Sequence, residues 1–200
     1  IGGIAPGSMP PGSRTVDEEG VLLDNILISE NSHFLDEEIA AILSAGKWPS
    51  RNVPQNLADL KAQVAACAKG ANELVRISGD YGRDVVQAYM RHVQANAEQA
   101  VRRLILKLED GHFRYALDNE AVIEVRVTVN HAARTARIDF TGTSPQLESN
   151  FNAPLPVVRA AVLYVIRTLI DEAIPMNEGC LRPIEIVVPQ GCFLNPRYPA

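Results

Sequence analysis

The chain is 200 residues long, 46% hydrophobic and 22% charged, a composition that supports a sizeable buried core in one large domain or two small ones. Its net charge of −5 is modest and its charges of both signs are interspersed, which argues against nucleic acid and membrane as partners. Cys67, Cys180 and Cys192 are odd in number, far apart and without a Cys-x-x-Cys pair, arguing against a disulfide framework or structural zinc site and for a reducing cytoplasm.

The chain opens on Ile1-Gly2-Gly3-Ile4-Ala5-Pro6-Gly7-Ser8-Met9-Pro10-Pro11-Gly12-Ser13. Glycines there permit positive φ and close backbone approach, while prolines fix φ and remove donors, so the segment reads as a rigid, bare-backbone loop. It has no initiator Met and no preceding element, which gives the chain the look of an internal fragment of something larger. Such a loop either lines a site or is a frayed terminal tail.

Val21-Leu22-Leu23 and Ile26-Leu27-Ile28 are short β-compatible runs, and Asp36 reads as the N-cap of a helix ending near Ala45 and Gly46. Arg51, Asn52, Gln55, Asn56 and Asp59 then cluster at the entrance of the next helix. Arg there can bind a carboxylate bidentately beside a helix N-terminus that favours anions, or it pairs with Asp59 in local capping. From residue 56 to 77 apolar positions recur at three and four, including Leu57, Leu60, Val64, Cys67, Leu74 and Val75, which predicts an amphipathic helix with Cys67 on its core face. Residues 78–82 interrupt it, and Val85, Val86, Tyr89, Met90, Val93, Ala97, Val101 and Leu104 mark a second helix ending near Gly111. Together they predict an antiparallel helical hairpin.

The period then switches to two. Ile123, Val125, Val127 and Val129, then Ala136, Ile138 and Phe140, predict a β-hairpin turning over residues 130–134. Asp139 ends its second strand and is followed by Thr141-Gly142-Thr143-Ser144-Pro145-Gln146, a carboxylate and hydroxyl-rich turn that can hold a polar substrate or is an ordinary capped turn. Asn150-Phe151-Asn152 places two amides on one side of an extended segment, either to grip an amide or carboxylate or with Asn152 capping the helix that follows. That helix runs from Leu155 to about Asp171, its apolar run broken by Arg159 and Arg167, and a strand over residues 184–188 follows. No signal-type segment begins the chain. The fold class is α+β, with mixed β-sheet elements and a long inserted helical hairpin. The expected organisation is a loop-rich segment over residues 1–53, the helical hairpin over 54–110, and a hairpin, helix and strand segment over 111–200.

The four histidines are scattered, and only His33-Phe34-Leu35-Asp36 has a spacing that offers two metal ligands, with Asp36 read in preference as a helix cap. No Ser-His-Asp arrangement, P-loop or dinucleotide fingerprint is present.

Taken in order, Gly2-Gly3-x-x-Pro6-Gly7-Ser8-Met9, Glu19-Gly20, Gln55-Asn56-x-x-Asp59-Leu60-x-Ala62-Gln63, Asp139-Phe140-Thr141-Gly142-Thr143-Ser144-Pro145-Gln146, Asn152-Ala153-Pro154 and Ile174-Pro175-x-Asn177-x-Gly179-Cys180-x-Arg182-Pro183 resemble the hydantoinase B/5-oxoprolinase family, as does the tail Pro189-x-Gly191-x-x-Leu194-Asn195-Pro196-x-x-Pro199-Ala200. The resemblance, to an N-methylhydantoinase B-type subunit, implies one part of an ATP-dependent hydrolase that opens cyclic amides such as hydantoins or 5-oxoproline. An A-type partner would bind ATP and activate the substrate carbonyl, and the B-type part would complete the chemistry. The resemblance also implies a divalent metal whose His-x-x-Asp ligands lie upstream of residue 1, so this fragment alone is expected to be inactive. Onto the residues present it carries catalytic roles for Asp139, Thr141 and Asn152, and substrate contacts for Gly2, Gly3, Gly7, Ser8, Arg51, Asn56, Asp59 and Asn150. The alternatives are an acetone-type carboxylase subunit and a non-catalytic scaffold for subunit assembly.

Overall fold

A computed structural model describes residues 1–6, 10 and 12–198. The chain divides into two compact units, one of Ile1–Gly82 with Glu148–Asn150, the other of Arg83–Leu147 with Phe151–Tyr198.

In the first unit a short antiparallel pair, β1 (Ser29–Glu30) and β2 (His33–Phe34), precedes the helix α1 (Asp36–Leu43). Ile39 and Leu43, one turn apart on α1, are fully buried and anchor it. Leu35 rather than Asp36 occupies the N-cap. The Asp36 carboxylate instead meets Lys61 Nζ at 2.5 Å, tying α1 to the long helix α2 (Val53–Tyr81). Asn52 caps α2 through its side chain, which accepts from Gln55 N at 3.2 Å, and Pro54 occupies the first turn where its missing N–H costs nothing. The helix runs on to Tyr81, through all but the last residue of the interruption expected at residues 78–82, and Arg76 reaches both Glu73 and Asp80 along it. It stops at Gly82, whose φ of 85° an L side chain resists. None of its residues is buried, and Cys67 is exposed rather than in a core. The runs at residues 21–23 and 26–28 form no strand; Val21 pairs with Ile1 by two backbone bonds, at 2.7 and 3.3 Å.

The second unit begins with α3 (Arg83–Ile105), so two long helices meet at Gly82, the pair implied by the apolar spacing. A four-stranded sheet follows, formed by β3 (Gly111–Ala116), β4 (Val122–Asn130), β5 (Thr135–Asp139) and β6 (Ile184–Val187), in the order β3-β4-β5-β6. The first three strands are antiparallel, and β6 returns parallel to β5 after the helix α4 (Leu155–Thr168). Ala97, Ala100, Val101 and Ile105 of α3 pack with Val162 and Ile166 of α4, with Ala136 and Ile184 on the sheet, and with Cys180 and Leu181. A second cluster gathers Val158, Ala121, Cys192, Phe193 and Leu194. Cys180 stands in a 3-10 turn, Glu178–Cys180, so close to α3 that a Cβ on Gly179 would lie 2.1 Å from the Gln94 carbonyl. The hairpin β4–β5 lies where the alternation places it, and β6 falls within the strand expected over residues 184–188. Strand β3 went unforeseen, and α3 stops at Ile105, short of Gly111, to make room for it. No helix among the described residues is long and apolar enough to cross a membrane.

Candidate functional site

In the first unit the opening Gly-Gly segment is held from several sides. Gly3 N donates to the Trp48 carbonyl at 3.3 Å, and Ile4 N to the Glu18 carbonyl at 2.9 Å. Gly2 and Gly3 have φ of 106° and 99°, and a Cβ on Gly2 would lie 2.4 Å from the Trp48 carbonyl oxygen. Only glycine fits such a backbone. Arg51 then reaches back across the sequence: one guanidinium nitrogen donates to the Gly2 carbonyl at 3.2 Å and another to that of Gly3. Asn150 does likewise, its Nδ2 donating to the Pro10 carbonyl at 2.7 Å. Its Oδ1 is buried and has no partner among the described residues, a costly state for an acceptor.

Arg51 therefore fastens the loop and makes no ion pair with Asp59 among the described residues. Asn56 accepts from Ser50 Oγ at 2.5 Å, and Asp59 accepts from Gln55 Nε2 at 2.8 Å, so both belong to the entrance of α2. Gly7 and Ser8 lie outside the described residues.

In the second unit Asp139 ends β5 and accepts the Thr141 amide at 2.9 Å. The Thr141 hydroxyl and amide hold its carboxyl below the usual range, desolvation opposes them, and Arg137 adds to the lowering. Arg137 lies between Asp139, at 3.2 Å, and Glu185, at 3.1 Å, and its own proton is held more firmly by both. The remaining hydroxyls of the turn pin it to β4: Thr143 Oγ1 accepts from Glu124 N and donates to Glu124 O, and Ser144 Oγ accepts from Val122 N. Asn152 is not the helix cap, a place taken by Pro154. Its Oδ1 accepts from Leu147 N and its Nδ2 donates to Leu147 O, both at 2.9 Å, which closes the loop between them.

Beside this turn stands a pair that sequence reasoning missed. His112 Nε2 lies 2.9 Å from Glu124 Oε1, and a Cβ on Gly142 would come within 2.7 Å of the same carboxylate. An imidazole against a carboxylate is a proton-relay arrangement. The alternation of Phe113 and Tyr115 with His112 and Arg114 was the available signal: reading it as a strand would have set β3 beside β4. Among the described residues no three His, Cys, Asp or Glu side chains gather as a metal donor set, His33 and Asp36 included.

The family model described as hydantoinase B/oxoprolinase matches residues 1–200. The 5-oxoprolinase of Dictyostelium discoideum is 37% identical over 207 residues, covering 99% of this chain and 16% of that protein. Among solved structures, the ATP-dependent caprolactamase from Pseudomonas jessenii superposes with a TM-score of 0.78 at 21% identity, over 100% of this chain and 35% of that one. A nucleotide-free acetone carboxylase superposes at 0.76 and 17% identity, over 98% and 28% of the two chains. These two likenesses are of fold. The chain thus spans about a sixth of the curated 5-oxoprolinase.

Proposed function

The chain belongs to the hydantoinase B/oxoprolinase family, and from that premise we propose that it is part of the B-type subunit or domain of an ATP-dependent hydrolase opening hydantoin or 5-oxoproline rings. The observation that carries this reading is the family match over residues 1–200, joined by 5-oxoprolinase relatives that align along 99% and 98% of the chain. An A-type partner would hold ATP, whose phosphoryl group would make the amide oxygen a leaving group. A divalent metal would need ligands beyond the described donor groups, and no step is assigned through one.

This chain's residues do the positioning. Asp139, ionised across the neutral range, accepts an N–H or orients water and is unsuited to giving up a proton. Thr141 holds that carboxylate, and Asn152 holds the loop behind it. His112 with Glu124 is the proton-handling pair beside the same turn. In the other unit Arg51 fixes the backbone that Gly2 and Gly3 present to substrate, Asn150 holds the same opening segment at Pro10, and Gly7, Ser8, Asn56 and Asp59 complete the substrate-contacting set of this reading. The three free thiols support a reducing, cytoplasmic setting, and the unburied stripe of α2 supports docking of a partner subunit by the same chain.

The test is ATP-dependent ring opening by the natural-length protein mixed with its A-type partner, following ADP and ring-opened product together. Coupled formation from 5-oxoproline or a hydantoin supports the proposal. Turnover only with a ketone and bicarbonate would overturn it in favour of carboxylation, a reading the fold likeness to acetone carboxylase keeps in play.

A further inference from the structure

Strand β3 is an edge of the four-stranded sheet and pairs with β4 alone. At its end the Leu117 amide donates to the Ala121 carbonyl at 2.8 Å, which marks the first hydrogen-bonded pair of the hairpin. The unbroken register then makes Tyr115 with Ile123, Phe113 with Val125 and Gly111 with Val127 the further bonded pairs. The N–H and C=O groups of His112, Arg114 and Ala116 therefore face away from β4, and none has a hydrogen-bond partner among the described residues. Such a row is a template for one more strand.

The side chains on the two faces of this edge define what that strand must carry. Phe113 and Tyr115 are 63% and 55% exposed. They stand on the face where Ile123 packs into the second hydrophobic cluster, so a neighbour beside them buries apolar surface. His112 and Arg114 stand on the other face, opposite Arg126 and Glu124. His112 engages Glu124 at 2.9 Å, and neither Arg114 nor Arg126 forms an ion pair among the described residues. The edge strand contains no carboxylate of its own. Its charge is complemented by a strand with acidic side chains at every second position. A second copy does not supply them: pairing β3 with β3 about Phe113 or Arg114 sets Arg114 beside His112 or another Arg114.

We propose that β3 binds an extended segment of a partner protein that alternates acidic and apolar side chains, adding it to the sheet as a further strand. The backbone of His112, Arg114 and Ala116 supplies the ladder. Phe113 and Tyr115 cover the apolar side chains, and Arg114, with Arg126 one strand behind it, meets the carboxylates. Neither ATP nor turnover enters this contact, so it stands or falls apart from the ring-opening reading.

The experiment adds a blocked, fluorescently labelled peptide alternating valine and glutamate to the natural-length protein, with binding read by anisotropy and its place by amide hydrogen exchange. Saturable binding is expected, with the His112, Arg114 and Ala116 amides slowed and those of Phe113 and Tyr115 unchanged. Arg114→Gln should weaken binding about threefold, the scale of one exposed cross-strand charge pair. Ala116→Pro, which removes only an outward N–H, should weaken it about fivefold. Circular dichroism confirms that each variant folds. A peptide with lysine in place of glutamate should bind about tenfold more weakly. The proposal is overturned if no peptide binds saturably, if the lysine peptide or folded Arg114→Gln binds as tightly, or if the slowed amides are not the alternate set. Amides of His112, Arg114 and Ala116 that are already slow without peptide would also overturn it, in favour of an edge paired by the protein's own chain or by a second copy.

Discussion

Replacing Arg51 by Met separates the two roles an arginine at this position can have. Its guanidinium bonds the carbonyls of Gly2 and Gly3, the second in a partly buried setting and the first exposed at 3.2 Å. A hydrogen bond to a charged group contributes about 1.5–3 kcal/mol when sheltered and less when wet, so the pair contributes about 2 kcal/mol to keeping the loop closed. Loss of that amount raises the local opening constant about thirtyfold. The reporters are the Gly3 and Ile4 amides, bonded to the Trp48 and Glu18 carbonyls, read by hydrogen exchange in the natural-length protein. Both should exchange about thirtyfold faster, with amides in the core of α3 unchanged. Arg51→Lys should restore little, because an ammonium cannot span two carbonyls as a planar fork does. Unchanged exchange at Gly3 and Ile4, with KM for a carboxylate-bearing substrate raised about tenfold, would refute the argument and return Arg51 to the role of ligand grip.

Gly179→Ala places a methyl against the Gln94 carbonyl and the Asn177 side chain that accepts from Gly179 N. It should cost about 2–4 kcal/mol through overpacking and the lost turn bond, seen as a fall in Tm of roughly 5–15 °C. Asn152→Ala frees the Leu147 backbone at both its bonds and should lower stability by about 2 kcal/mol in urea unfolding; a loss of kcat in the fully folded variant would show a role beyond holding the loop. Asp139 contributes a pH dependence whose sign follows from its lowered pKa: the stabilisation is present above the ordinary carboxylate value of about 3.9 and is lost as pH falls through the lower folded value. The stability gap between wild type and Asp139→Asn should therefore be open at pH 7 and close in the acid limb below about pH 4. A gap of constant size down to pH 2 would show that the carboxylate is not held as described.

Where the sequence was legible, one face of an element was buried. The alternation from Ile123 to Phe140 reads as a hairpin because Ala136 and Ile138 meet the helices, and α4 reads as a helix because Val158, Val162 and Ile166 recur on its buried side. Strand β3 is exposed along its whole length, so burial left it no apolar alternation beyond its two aromatics. The stripe on α2 announced a helix correctly but not its burial, because periodicity says which residues share a face and not what covers it. The partners of Arg51 and Asn150 lie 48 and 140 residues away, and no local propensity encodes a bond across that span. The pairing of His112 with Glu124 likewise depends on the register of β3 against β4, which could not be set once β3 was missed.

The parallel return of β6 beside β5 has a consequence for how the molecule is made. Strands β3 to β5 follow one another with short turns, so they can zip together as soon as they leave the ribosome. The far edge of β5 must wait until the chain has grown from Asp139 to Ile184, and the cluster around Phe193 is completed only later still. Through that interval the nascent sheet carries an unpaired edge, the feature that recruits stray strands and chaperones alike. A ribosome stalled before residue 184 therefore releases a sticky intermediate rather than a smaller version of the same protein.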